Sequence, residues 1–206
     1  MRARPISPEA LVRELVGRIG AVGRPWVRVV VDGAPEAGTA ELADRLVEPL
    51  RVEGRPAVRV SAGDFLRAAS LRLEYGRTDP DEYYDAWLDE RGLRREVLDP
   101  LGPGGSRRIV PKLWNAELDR AYRLPYQQLP EAGVLILDGP LLLGRGLPVE
   151  FAVHLAVSRA ALVRKTPEEL RWRLPAFERY EREVDPVKVA EVAVRYDDPR
   201  HPALVV

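Results

Sequence analysis

The chain has 206 residues, with 32 basic side chains against 32 acidic ones and no cysteine. Zero formal charge argues against a surface built for nucleic acid or for an anionic membrane, and the lack of cysteine excludes disulfides and thiol chemistry and fits a cytoplasmic location. No apolar run approaches the ~20 residues of a membrane span, His154 and His201 stand isolated with no metal-ligand cluster around them, and the length suits one α/β domain over residues 1–206.

Ser7-Pro8-Glu9 is a helix start, with the serine as cap and the proline in the first turn. Leu11, Leu15, Val16 and Ile19 then mark one apolar face. A strand runs through Val27–Val31, a helix follows over roughly 39–52, and Ala57–Ser61 is a second strand. Strands alternating with helices at this spacing predict βαβ units and a parallel sheet. Residues 62–80 are polar with turn signals at Gly76 and Asp79-Pro80, and the pattern predicts a helix over 81–98 that LDPLGPGG closes. An irregular or hairpin excursion covers 106–130. Buried strands are expected at 134–139 and 151–157, where His154 reads as a satisfied core or strand-end residue. Pro167 opens a charged helix running to about Glu183, and VAVRY at 192–196 reads as the last strand.

The most informative stretch is VVVDGAPEAGTAELA at 29–43. Gly33 and Gly38 hold the two glycine positions of G-x-x-x-x-G-K-[ST], a phosphate-binding loop between a strand and a helix. In such a loop backbone N–H groups cradle the phosphates, a lysine neutralises their charge and a hydroxyl holds Mg²⁺. Here Thr39 stands at the lysine position and Ala40 at the hydroxyl position, while Glu36 adds a carboxylate within the loop. Losing one charge-assisted contact of ~1.5–3 kcal/mol weakens binding by roughly one to two orders of magnitude. The only lysines are Lys112, Lys165 and Lys188, so any substitute cation must come from elsewhere in the fold.

Further groups can carry chemistry. Asp138, in VLILDG, is a strand-end acid able to hold magnesium beside a phosphate loop, or simply to cap a turn. Asp64, just past the second strand, is placed to orient an alcohol or to cap a helix. Arg159, Arg164, Lys165, Arg171 and Arg173 suit either a phosphate-clamping lid or a solvated, salt-bridged face shared with Glu168, Glu169, Glu178 and Glu181. Tyr83, Tyr84 and Trp87 stack on a base or pack on the sheet.

With these residues together, the chain resembles the uridine kinase family of P-loop nucleoside kinases, in particular its short actinobacterial-type branch. The resemblance spans about residues 26–200 and is carried by the phosphate loop, VSAGDFLR, YGRTDPDEYYDAW, LRREVLDPLGPGGSRR, VLILDGPLLL, RLPAFERYEREVDP and RYDDP. It implies a three-layer α/β/α P-loop fold with a parallel, roughly five-stranded sheet and a helical lid. The implied reaction is transfer of the ATP γ-phosphate to a nucleoside 5′-hydroxyl, with ATP and Mg²⁺ as cofactors if the protein is active and none otherwise. The carried-over positions are Gly33, Gly38, Thr39, Ala40, Arg171 and Arg173 for nucleotide, Asp64 and Asp138 for catalysis and metal, and Phe65, Tyr83 and Asp89 for the acceptor. The match is uneven, because the family's general-base position is Gly63 and the asparagine of its V-D-N-x-D pattern is replaced at Arg195-Tyr196.

Three readings follow. The leading one is a uridine-kinase-like protein impaired in catalysis and retained for binding a nucleoside or other small molecule, or a protein partner. The second is an active nucleoside or small-alcohol kinase in which Lys165, Arg171 or Arg67 replaces the loop lysine and Asp64 or Asp138 holds magnesium. The third is a structural or regulatory subunit that binds no nucleotide and forms a homo-oligomer or a complex, for instance through the helix at 7–19.

Overall fold

The computed structural model describes residues 2–206. Its main sheet contains Ala3–Pro5 (β1), Trp26–Asp32 (β2), Ala57–Ser61 (β3), Gly133–Gly139 (β4), Phe151–Ala156 (β5), Val192–Arg195 (β6) and Ala203–Val205 (β7). The strands stand in the order β1-β7-β6-β5-β2-β4-β3. From β3 to β6 every pairing is parallel, and β2 is buried along its whole length, as a valine-rich run covered on both faces must be. The first parallel strand therefore lies in the middle, with the second and third on one side and the fourth and fifth on the other. Its exit turn opens at the switch point, where open α/β sheets bind ligands.

Five helices matter for the argument: Pro8–Gly20 (α1), Thr39–Val52 (α2), Pro80–Asp85 (α3), Arg159–Lys165 (α4) and Leu174–Glu183 (α5). Leu11, Leu15 and Ile19 of α1 and Leu42, Leu46 and Leu50 of α2 form one core with Val27, Val29 and Val31. On the other face Val30, Leu135 and Leu137 pack with Leu93, Leu98, Ile109 and Phe177. The alternation along β2 thus feeds two cores, giving three layers, helix on sheet on helix. Ser7 caps α1 by accepting from the Ala10 N–H at 3.2 Å. Among the described residues no helix is long and apolar enough to cross a membrane.

Three local expectations change. The parallel strands are flanked by β7, antiparallel to β6, and by β1, antiparallel to β7. Each has three residues, too few to show a period, and their pairing joins Ala3 to Val205. The helix expected over 81–98 is broken: α3 ends at Asp85, and helical structure resumes at Glu90–Leu93 and continues as a π turn at Arg94–Leu98. Between them Leu88 pairs with Leu66, the Arg67 N–H donates to Trp87 O at 2.9 Å, and the Asp89 N–H donates to Phe65 O at 2.8 Å. Those backbone groups bridge to the segment at 65–67 instead of continuing a helix, a choice no local periodicity encodes. The charged helix from Pro167 begins as a tight 3₁₀ segment, Glu168–Arg173, and becomes α-helical only at Leu174. The 106–130 excursion is irregular with hairpin pairing, as expected, and contains two antiparallel ladders of two residues a side.

Candidate active-site cleft

The loop from Gly33 to Gly38 joins β2 to α2. A Cβ on Gly33 would lie 3.0 Å from Leu155 O and 3.2 Å from both Leu155 Cβ and Thr39 Cγ2, so close backbone approach accounts for this glycine. Gly38 is left-handed at φ 77°, ψ 41° and opens α2 without a side-chain cap, which suits a residue with no Cβ. Between them the chain makes one 3₁₀ turn. The Ala37 N–H donates to Ala34 O at 2.8 Å and the Gly38 N–H to Pro35 O at 3.2 Å, while Pro35 has no N–H at all. Two of the loop's N–H donors are therefore committed inside the turn. Thr39 is buried, and Ala40 offers no side-chain oxygen. Lys165, the last residue of α4, donates from Nζ to Glu36 O at 3.4 Å, so an ammonium does reach the loop. Arg67 instead donates from Nη1 to Ala86 O at 3.2 Å, and Arg171 lies exposed on the 3₁₀ segment.

Asp138 sits at the end of β4, opposite Ser61 of β3. Both of its oxygens are occupied: Arg59 donates from Nε to Oδ1 at 2.7 Å and from Nη2 to Oδ2 at 3.0 Å. The same guanidinium reaches both oxygens of Asp44 on α2 at 3.1 Å. Burial pushes the Asp138 carboxyl up, with the Arg59 contact working against it, and the Asp138 hydrogen bond raises Arg59. A divalent metal held as in an ATP-binding loop does not fit this donor set. The carboxylate already carries a cation, the hydroxyl position is alanine, and among the described residues no group of three or more acids or histidines is placed to hold a metal.

A second buried network braces the root of the loop. Asp32, fully buried, accepts from the Leu142 N–H at 2.8 Å and from the Tyr180 hydroxyl at 3.0 Å, and its Oδ2 lies 2.6 Å from His154 Nδ1. The Tyr180 oxygen in turn accepts from the Leu143 N–H at 2.9 Å. Burial, then the Asp32 charge, push the Tyr180 phenol far above its ordinary range. His154 is a satisfied core residue, as its apolar setting suggested. This network ties α5 to the β2 terminus and to the turn after β4, where Leu141 is held at a left-handed φ of 58°.

Beside the loop lies a cleft of about 230 Å³ lined by Pro35, Ala62, Gly63, Leu66, Tyr83, Trp87, Leu88, Pro140, Leu141, Arg145 and Arg173. Of the residues singled out from sequence, Tyr83, Trp87 and Arg173 meet here, with Gly63 at the base position. Tyr83 packs edge-on against Trp87, Trp172 and Phe177. Burial, opposed by Arg173 and aided by Glu36, pushes its phenol up to about 12. The others lie outside the lining. Phe65 is fully buried in the core, Asp64 pairs with Lys112 at 3.4 Å, and Asp89 caps a helical turn by accepting from the Gly92 N–H at 2.9 Å. Sequence reasoning missed Arg59, Arg145, Trp172 and the Asp32–Tyr180 contact. Arg59 did leave a signal, an arginine inside the otherwise apolar strand AVRVS.

No family model and no curated protein matches the chain in sequence. Its backbone resembles that of a possible uridine kinase from Bacillus stearothermophilus, with TM-score 0.72 and 19% identity, covering 88% of this chain and 96% of that one. A "putative fructose transport system kinase" from Silicibacter sp. TM1040 gives 0.59 and 21%, covering 90% of both chains. The YGR205w protein gives 0.63 and 11%, covering 95% of this chain and 96% of that one. At these identities the likeness establishes a P-loop kinase-like fold.

Proposed function

We propose that this chain is a uridine-kinase-like P-loop protein that has lost efficient phosphoryl transfer and uses the cleft to bind a small ligand. The observation that carries this reading is the bidentate Arg59–Asp138 pair, which puts a guanidinium on the acid that would otherwise serve magnesium. Two features agree with it: alanine at position 40, and a cleft with glycine at 63 and no carboxylate in its lining. Phosphoryl transfer depends on positioned charge more than on covalent chemistry, so losing several charge-handling groups together suppresses it severely. The ancestral reaction on this reading is phosphorylation of a nucleoside 5′-hydroxyl by ATP.

One contact favours a second reading, an active kinase with a rearranged site: Lys165 Nζ lies 3.4 Å from Glu36 O, within reach of the loop mouth. Calorimetric titration with ATP, with and without Mg²⁺, separates the two, followed by a transfer assay on uridine. The first reading expects no magnesium-dependent binding below millimolar ATP. Turnover in the ~1–100 s⁻¹ range of working kinases would overturn it.

A further inference from the structure

Two residues of the cleft lining hold buried donors that have no acceptors. Among the described residues only three buried side-chain nitrogen or oxygen atoms lack a hydrogen-bond partner, namely Arg55 Nε, Trp87 Nε1 and Arg173 Nε. Two of these three belong to residues that line this one cleft. Buried donors are almost always satisfied, and leaving one unpaired is unfavourable.

Arg173 stands over the rings of Tyr83, Trp87 and Trp172, with its guanidinium carbon 5.1, 5.6 and 5.2 Å from their centroids. Ring faces stabilise the cation but accept nothing from the in-plane N–H groups, and no carboxylate pairs with it among the described residues. The other arginine of the lining is different: Arg145 is tied to Glu90, to Leu141 O and to Tyr84 O. Position 63, where an alcohol acceptor would need a carboxylate to take its proton, is glycine. The lining therefore offers cationic and neutral donors with no base.

From this we infer that the cleft holds a small ligand with a flat apolar body and an oxyanion, a carboxylate or a phosphate, which Arg173 and Trp87 bind. The aromatic walls take the body, and the planar guanidinium edge matches two oxygens of one anion. Such a ligand needs no proton removed, which agrees with glycine at 63. The inference rests on the ligand-binding reading above and adds the charge class of the ligand.

The test titrates the full chain with benzoate, phenyl phosphate and benzyl alcohol, following tryptophan fluorescence and heat. One or both anions bind roughly tenfold to hundredfold more tightly than the alcohol, the span of a charge-assisted contact, and the tighter anion identifies the oxyanion. Arg173→Gln brings that anion down to the level of the alcohol. Arg173→Lys keeps part of the preference, and Trp87→Phe, which keeps a ring and removes the donor, weakens the anion by roughly two- to tenfold. Circular dichroism on each variant separates lost binding from lost folding. Equal affinity for alcohol and anions would overturn the oxyanion assignment while leaving a ligand-binding cleft. Failure of all three to bind at millimolar concentration would overturn the ligand-binding reading itself.

Discussion

Replacing Arg59 with methionine removes the cation from Asp138 while keeping most of the apolar stem. The Asp138 side chain is 4% exposed and that of Arg59 27%. Removing one partner of a buried pair costs about 3–5 kcal/mol, because it strands the other charge. Partial exposure of Arg59 and the ability of Asp138 to take up a proton reduce this to about 2–3 kcal/mol. For a chain of this size each kcal/mol moves the melting temperature by about 2–4 °C, so the expected loss is about 4–12 °C at neutral pH. The sign with pH follows from burial. A carboxyl raised in the folded state above its ordinary 3.8 favours folding below that value, and this contribution is lost as pH rises through the raised value. With Arg59 gone the largest opposition to the upward push is lost, so the deficit is smallest near the ordinary carboxylate range and grows toward neutrality. The double variant Arg59→Met, Asp138→Leu recovers most of the loss, since an apolar pair replaces the stranded charge. Thermal melts across this pH range decide the matter. A single variant as stable as the parent at neutral pH, or a double variant no better than the single, would refute the reasoning.

Two further outcomes follow from the same structure. Tyr180→Phe deletes the hydroxyl that donates to Asp32 and accepts from Leu143, so denaturant titration should register a loss of about 1–3 kcal/mol; no change would mean that the network does not brace α5. Tyr83, raised from 10.0 to about 12, contributes stability that is complete below its ordinary value and is lost as pH rises through about 12. The phenolate absorbance difference between the parent and Tyr83→Phe should therefore have its midpoint near 12, and a midpoint at the ordinary value would contradict burial of that ring.

Local pattern was enough to place β3 and α2 at their observed limits, because valine-rich runs and a three-to-four residue leucine spacing report burial directly. The loop that leads from β2 into α2 was legible for the same reason: two glycines between a strand and a helix have few structural meanings, and the residues at 39 and 40 named the missing lysine and hydroxyl. Tertiary structure decided everything that depends on residues distant in the chain. The break at 86–89 comes from pairing with 65–67, and Arg59 meets Asp138 across 79 positions. The cleft gathers Pro35, Gly63, Tyr83, Leu141 and Arg173 from separate elements. A sequence can declare that a lysine or a base is absent, since that is a property of one position. Whether another cation fills the gap, and which donors are left without acceptors, depends on packing, and packing exists only once the sheet has brought its strand ends together.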